Sequence, residues 1–217
     1  NIDKMEEIII GNQIWSSRNL DIDTFSNGEK ILEVNSTEEW KKANADCIPS
    51  WCYYDFDSEN GKLYGKLYNW YAINDPRGLA PAGWRIPTID DWNELDVFLT
   101  PPMPEGMGPA DYGNFLGKNK LAGTRLKSVN GWVWGKDVGN GTDEFGFCVL
   151  PGGFHEGRNM DHSSSIGHAA KFWSASKDNT DDTFYVDFAI NLKENFYRRK
   201  YKFVDYPMSM SVRYIKV

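Results

Sequence analysis

The sequence predicts an α+β protein, with antiparallel strands, two main helices and long loops, and three observations predict it. Short apolar runs separated by turn residues occupy residues 7 to 34 and return from residue 147 to the end. Two segments between them carry apolar residues at helical spacing: Leu63, Leu67, Trp70 and Tyr71, then Ile89, Trp92, Leu95 and Leu99. A stretch rich in Gly, Pro, Asn and Asp, from Pro101 to Gly146, separates the helices from the later strands. Strands and helices segregated along the chain in this way make an α+β arrangement. No linker-like tract divides the 217 residues, so residues 1–217 read as a single domain.

Taken in order, Glu7 to Gly11 and Gln13 to Trp15 read as strands, and Asn27-Gly28 is the dipeptide that a tight hairpin turn favours. Ser36 caps a short helix ending near Asn44, with Glu38 and Glu39 in its first turn. Trp51 to Tyr54 reads as a small aromatic strand. The acidic run from Asp55 to Gly61 has two readings, a calcium loop or an Asx-rich turn; its glycine comes one position late and no Glu closes it, which departs from the EF-hand pattern. The helix carrying Leu63 to Tyr71 should end at Asn74-Asp75-Pro76-Arg77-Gly78. Pro87 holds Ile86 extended, Thr88 caps the second helix with Asp91 as capping-box partner, and Pro101-Pro102 terminates it. A loop region as long as 101–146 is functional or tied down by its own side chains. Strand signals follow at Phe147–Leu150, Lys171–Ser176, Thr183–Ile190, Phe196–Lys202 and Met208–Val217. Phe184, Val186, Phe188 and Ile190 alternate as in a half-buried antiparallel strand.

Charge and composition exclude some functions. A net charge of −7 opposes phosphate binding, so no nucleic-acid partner is expected. The basic run Tyr197 to Lys202 reads as a solvated sheet edge. No apolar run approaches the ~20 residues that cross a bilayer. The chain starts at Asn1 rather than Met, so a removed leader or lipid-anchor segment is expected. Nine Trp and eleven Tyr supply rings for a core and for contact surfaces. Cys47 and Cys52 are close enough for a small-loop disulfide and equally compatible with two free thiols, while Cys148 sits in an apolar run as a small core residue.

Several segments together resemble a known family. They are Trp51-Cys52-Tyr53-Tyr54, Tyr64 to Ala72, Asp75 to Pro81, Gly83 to Thr88 with Trp92, Leu150-Pro151-Gly152-Gly153, Trp173 to Ser176, and the closing Ser211-Val212-Arg213. The resemblance, over nearly the whole chain, is to the Fibrobacter succinogenes major paralogous domain, itself similar to the C-type-lectin-like fold in the variant of formylglycine-generating enzymes. There an Arg-Leu-Pro-Thr segment opens a helix as Arg85 to Trp92 does here. The resemblance implies an exported protein, extracellular or at the cell surface, often an outer-membrane lipoprotein attached only through its lipid anchor. Two positions depart from the family: Cys148 replaces a small residue, and Tyr214 follows Arg213 where Cys is common. The oxidase members of the fold need two late cysteines for copper; this chain has no Cys after Cys148, so no cofactor is expected.

The expected function is a non-catalytic binding or adhesion module for a glycan or surface protein. Its candidate ligand-binding residues are Trp132, Trp134, Asn179, Asp182, Asn191, Asn195, Tyr197 and Arg199, displayed on loops and late strands. An uncharacterised enzyme related to formylglycine-generating enzymes and a pilus-like surface-assembly component are the alternatives. His155, His162 and His168 gather in one Gly/Ser-rich stretch as weak metal candidates, at intervals matching neither HExxH nor a zinc finger. Asp90 and Asp91, adjacent in a first helical turn, read as dipole-stabilising acids rather than an acid–base pair.

Overall fold

The computed structural model describes residues 6–109, 111, 122–134, 137–157, 162–177, 183–189, 197–201 and 207–217. The chain opens with a hairpin of β1 (Glu7–Ile10) and β2 (Gln13–Ser16), turned at Gly11, whose φ is +60°. At Phe25 to Glu29, Gly28 alone takes a positive φ, so the turn is not the doubly left-handed type that Asn27-Gly28 allows. After β3 (Leu32–Glu33), α1 (Thr37–Ala45) starts where Ser36 Oγ accepts the Glu39 N–H, and it buries Trp40 and Ala43.

The next segment corrects the sequence reading. After β4 (Ser50–Cys52), a 3-10 turn over Tyr54–Phe56 leads into α2 (Ser58–Tyr64), capped by the Asp57 carboxylate accepting the Glu59 N–H. The acidic run is thus a helix start, not a loop. That helix stops at Gly65, φ +76°; Leu67–Asn69 is β5, and α3 (Trp70–Ile73) begins afresh under the cap of Asn69. Leu63, Leu67 and Trp70 therefore belong to three elements rather than one helical face. Their spacing is shared by two periods that happen to coincide.

β6 (Trp84–Arg85) precedes α4 (Ile89–Leu99), which has the expected capping box: Thr88 Oγ1 accepts the Asp91 N–H, and the Asp91 carboxylate accepts the Thr88 N–H. Trp92, Leu95 and Leu99 are wholly buried. Each contributes roughly 1.5–3 kcal/mol by leaving water. The long connection holds α5 (Ala122–Leu126) and a small ribbon of β7 (Val133–Trp134) and β8 (Asp137–Val138). Phe147–Leu150 is not a strand: Val149 makes only an isolated bridge to Lys127, because Cys148 turns the backbone to φ +49°. The remaining strands are β9 (Gly152–Glu156), β10 (His162–Ile166), β11 (Ala169–Lys177), β12 (Thr183–Ala189), β13 (Tyr197–Tyr201), β14 (Met208–Met210) and β15 (Ile215–Lys216).

The large sheet runs β13-β12-β11-β9-β14-β5-β4-β3, with β10 beside β9; a second sheet runs β1-β2-β15-β6. Among the described strands, pairing is antiparallel except at β11–β9 and β3–β4. The basic strand β13 ends the large sheet's order, as its edge reading expects. Opposite faces of β11 and β12 enter different cores. Trp173 and Tyr185 pack with Tyr68, Trp70 and Met210, whereas Phe172, Val186 and Phe188 pack with Trp15, Trp92 and Phe147. Strand β12 is consequently covered on both faces, Tyr185 and Asp187 included, and not half-solvated as its alternation suggests.

The expected final strand over 208–217 is broken. Met208–Met210 belongs to the large sheet and Ile215–Lys216 to the small one, so residues 211–214 cross between them. Backbone bonds hold the crossing on both sides: Trp173 N–H to Ser211 O, Leu20 N–H to Val212 O, and Ser16 N–H to Tyr214 O.

Candidate functional site

Arg213 lies in that crossing, and its surroundings follow from it. A residue between two sheets has no solvent face, and Arg213 is 1% exposed. Its Nη1 donates to Ser16 O at 2.9 Å and its Nη2 to Cys148 O at 3.1 Å, while the guanidinium carbon stands 4.6 Å from the Phe147 ring centre. Among the described residues no carboxylate makes an ion pair with it. Burial pulls its pKa down to about 9, against the opposing fields of Cys148 and Asp143, so it remains a cation at neutral pH.

Arg213 is the most deeply buried charged residue lining a cleft of about 500 Å³. One wall is Ser17 to Asp21, the second is the end of α2 with Tyr64 and Gly65, and the third contains Gly146, Cys148 and Leu150. The third wall is a tight left-handed turn, with φ of +44° at Asp143, +72° at Gly146 and +49° at Cys148. The Asp143 carboxylate accepts the Cys148 N–H at 2.7 Å and thereby holds the Cys148 carbonyl toward Arg213. Positive φ at Asp143 and Cys148 costs on the order of 1–3 kcal/mol each, strain of the kind that collects at ligand sites. Asn19 ties the first wall to the second, its amide donating to Tyr64 O at 2.8 Å.

Three buried polar atoms of the lining residues have no hydrogen-bond partner among the described residues: Arg213 Nε, Ser17 Oγ and Asn19 Oδ1. Leaving such an atom unpaired costs about 1–3 kcal/mol, and native chains seldom tolerate it without a reason. At the rim, charges are matched: Arg18 faces Glu6 at 4.0 Å, Lys62 meets Glu59 at 2.5 Å, and Asp21 pairs with Lys66. Arg213 is the lining charge with no ion-pair partner among the described residues. Cys148, half-buried beside it and not a core residue, has its thiol pKa raised by burial and by Asp143 against the lowering effect of Arg213. A thiol that keeps its proton is a weak nucleophile. The cleft therefore offers a cation and directed polar atoms for binding.

None of the described site residues singled out from sequence lines this cleft. Trp132 is 0% exposed, under Lys127 at 4.4 Å, with its indole N–H bonded to Ser128 Oγ and Val149 O. A ring so enclosed has no surface to offer a ligand; it ties the long connection to the core. Trp134 stands in β7, and Tyr197 and Arg199 stand in β13. Asn179, Asp182, Asn191 and Asn195 lie outside the described residues. His155 is a buried core histidine between Trp40 and Phe56, bonded through Nδ1 to Ser163 Oγ at 3.1 Å. His162 is in β10 and His168 in the turn after it; among the described residues no three His, Cys, Asp or Glu gather closely enough to hold a metal ion.

Residues 8–216 match a sequence model described as the Fibrobacter succinogenes major domain. The chain belongs to that family. No curated protein and no solved structure matches it. In this Fibrobacter succinogenes major domain the family-like closing segment Ser211-Val212-Arg213 is the one that crosses between the sheets. Tyr214 is buried there, its hydroxyl donating to Leu79 O at 3.0 Å. Cys52 is buried and Cys47 exposed, and all three cysteines are free. Sequence reasoning missed Ser17, Asn19 and Arg213 as site residues. One signal was available for Arg213: it is the lone charge in the otherwise uncharged run from Pro207 to Ile215. Ser17 and Asn19 carry no such mark.

Proposed function

We propose that this chain is a non-catalytic binding or adhesion module whose ligand, a glycan or surface-protein group, enters the cleft over Arg213. The observation that carries the reading is the gathering of three buried, unpaired polar atoms on one lining, beneath a rim whose charges are already matched. A volume of about 500 Å³ suits a small ligand group, since such sites span roughly 300–1,000 Å³. We read the architecture as C-type-lectin-like in the formylglycine-generating-enzyme variant, because Arg85-Ile86-Pro87-Thr88 opens α4 as the matching segment does in those proteins. The protein works outside the cell or at its surface, attached by at most a lipid anchor. The test is a glycan and surface-protein panel read by amide chemical shifts of the purified protein. Shifts centred on Ser17, Asn19, Cys148 and Arg213 are expected; a ligand that shifts only residues remote from them, or a blank panel, sinks the reading.

A further inference from the structure

The cleft's chemistry narrows the ligand class. Nε is the Arg213 nitrogen without a partner among the described residues, since Nη1 and Nη2 each already donate one N–H, to the carbonyls of Ser16 and Cys148. Ser17 Oγ can donate or accept, and Asn19 Oδ1 can only accept, its amide being turned toward Tyr64 O and Ser211 Oγ. A cation with two donors matches the two oxygens of a carboxylate. A neighbouring acceptor repels a second negative charge, which disfavours a phosphate dianion, and calls for an O–H or N–H close to the carboxylate.

The rest of the lining is apolar where a ring would lie. Tyr64 and Leu150 line the cleft beside Gly61 and Gly65. The Tyr64 ring reaches this position over Gly152, where a Cβ would meet its atoms at 3.0–3.1 Å. An aromatic side chain next to hydroxyl-matching polar atoms suits the C–H face of a pyranose.

We propose that the cleft binds a sugar acid of the uronic type, its carboxylate on Arg213 Nε and Ser17 Oγ and a ring hydroxyl donating to Asn19 Oδ1. The inference rests on the binding-module reading above. All three atoms are covered from bulk water, so the lining opens slightly as the carboxylate enters. Binding needs no calcium, since the charge that attracts the ligand belongs to the protein itself.

The experiment titrates the isotopically labelled chain, in the presence of a metal chelator, with D-glucuronate, D-glucose and N-acetylglycine, following the backbone amides and the Arg213 Nε–H signal. D-Glucuronate should shift the Arg213 Nε–H and the amides of Ser17 and Cys148, and bind at least tenfold more tightly than D-glucose. Ser17→Ala, which leaves the core untouched, should weaken D-glucuronate about tenfold; Arg213→Met, if folded, should abolish the effect. Equal binding of D-glucose overturns the carboxylate assignment while leaving the binding-module reading intact. Preference for N-acetylglycine replaces the sugar acid by a peptide carboxyl end and overturns the proposal. Cleft shifts produced by panel ligands but by none of these acids also overturn it alone. A blank titration together with a blank panel removes both readings.

Discussion

Arg85 and Arg213 show two uses of the same side chain. Arg85 stands at the mouth of α4, partly exposed, and makes a two-pronged contact with the Asp91 carboxylate six residues away; that carboxylate also caps Thr88. Charge, cap and helix start are completed by one short segment. Arg213 is wholly buried and reaches across 197 residues to Ser16 and 65 residues to Cys148, finding carbonyl oxygens instead of a carboxylate. The first arginine has its charge neutralised and serves the scaffold. The second keeps an uncompensated charge and an unused N–H, which is the condition for receiving something from outside.

The contrast breaks most sharply on the cost of deletion. Arg213→Ala should lose about 3–5 kcal/mol in urea unfolding, because it opens a cavity and leaves two buried carbonyls without donors. Trp132→Ala should cost a similar amount, about 3–5 kcal/mol, yet leave cleft binding by the folded protein unchanged. If Trp132→Ala abolishes binding in folded protein, the site is misplaced. At the Arg85 end, Asp91→Ala should lose only about 1–2 kcal/mol, the range of a helix cap with an attached ion pair. An Arg213→Ala loss smaller than the Asp91→Ala loss would reverse the comparison.

Acid sharpens it further. Burial alone would raise the Asp91 pKa, but Arg85 and the Thr88 bonds outweigh it and hold the group below its ordinary 3.8. Its stabilisation is therefore complete above that value and lost as pH falls through the lowered folded one. Asp91→Asn should flatten this part of the acid limb, below about pH 4, in unfolding curves recorded from pH 6 to pH 2. The smallest effect concerns the strained turn. Cys148→Gly relieves a positive φ but removes a half-buried thiol, so the net change should stay within about 1 kcal/mol in thermal unfolding. A much larger loss would mean that the thiol packs more tightly than its half-buried position suggests.

Features completed by neighbours in the chain were legible from the residues. The Ser36 cap, the Thr88–Asp91 capping box, the stop before Pro101-Pro102 and the strands Ala169–Lys177 and Thr183–Ala189 all depend on contacts a few residues apart or on a period repeated several times. The family assignment was legible for the same reason, as an accumulation of short local signatures. Where two periods coincided, over Leu63 to Tyr71, local pattern misled, and the left-handed Gly65 decided.

The cleft belongs to the other class. The sequence by itself determined the α+β class, the caps, most of the later strands and the family. Only the tertiary structure decided that residues 211–214 leave one sheet for the other, that Arg213 is thereby shut inside, and that Ser17, Asn19 and Cys148 meet around it. The physical reason is one of range. A cap or a strand is stabilised by partners whose spacing the chain itself prescribes, whereas a guanidinium held by carbonyls acquires its meaning from groups 65 to 197 residues away that share no spacing with it.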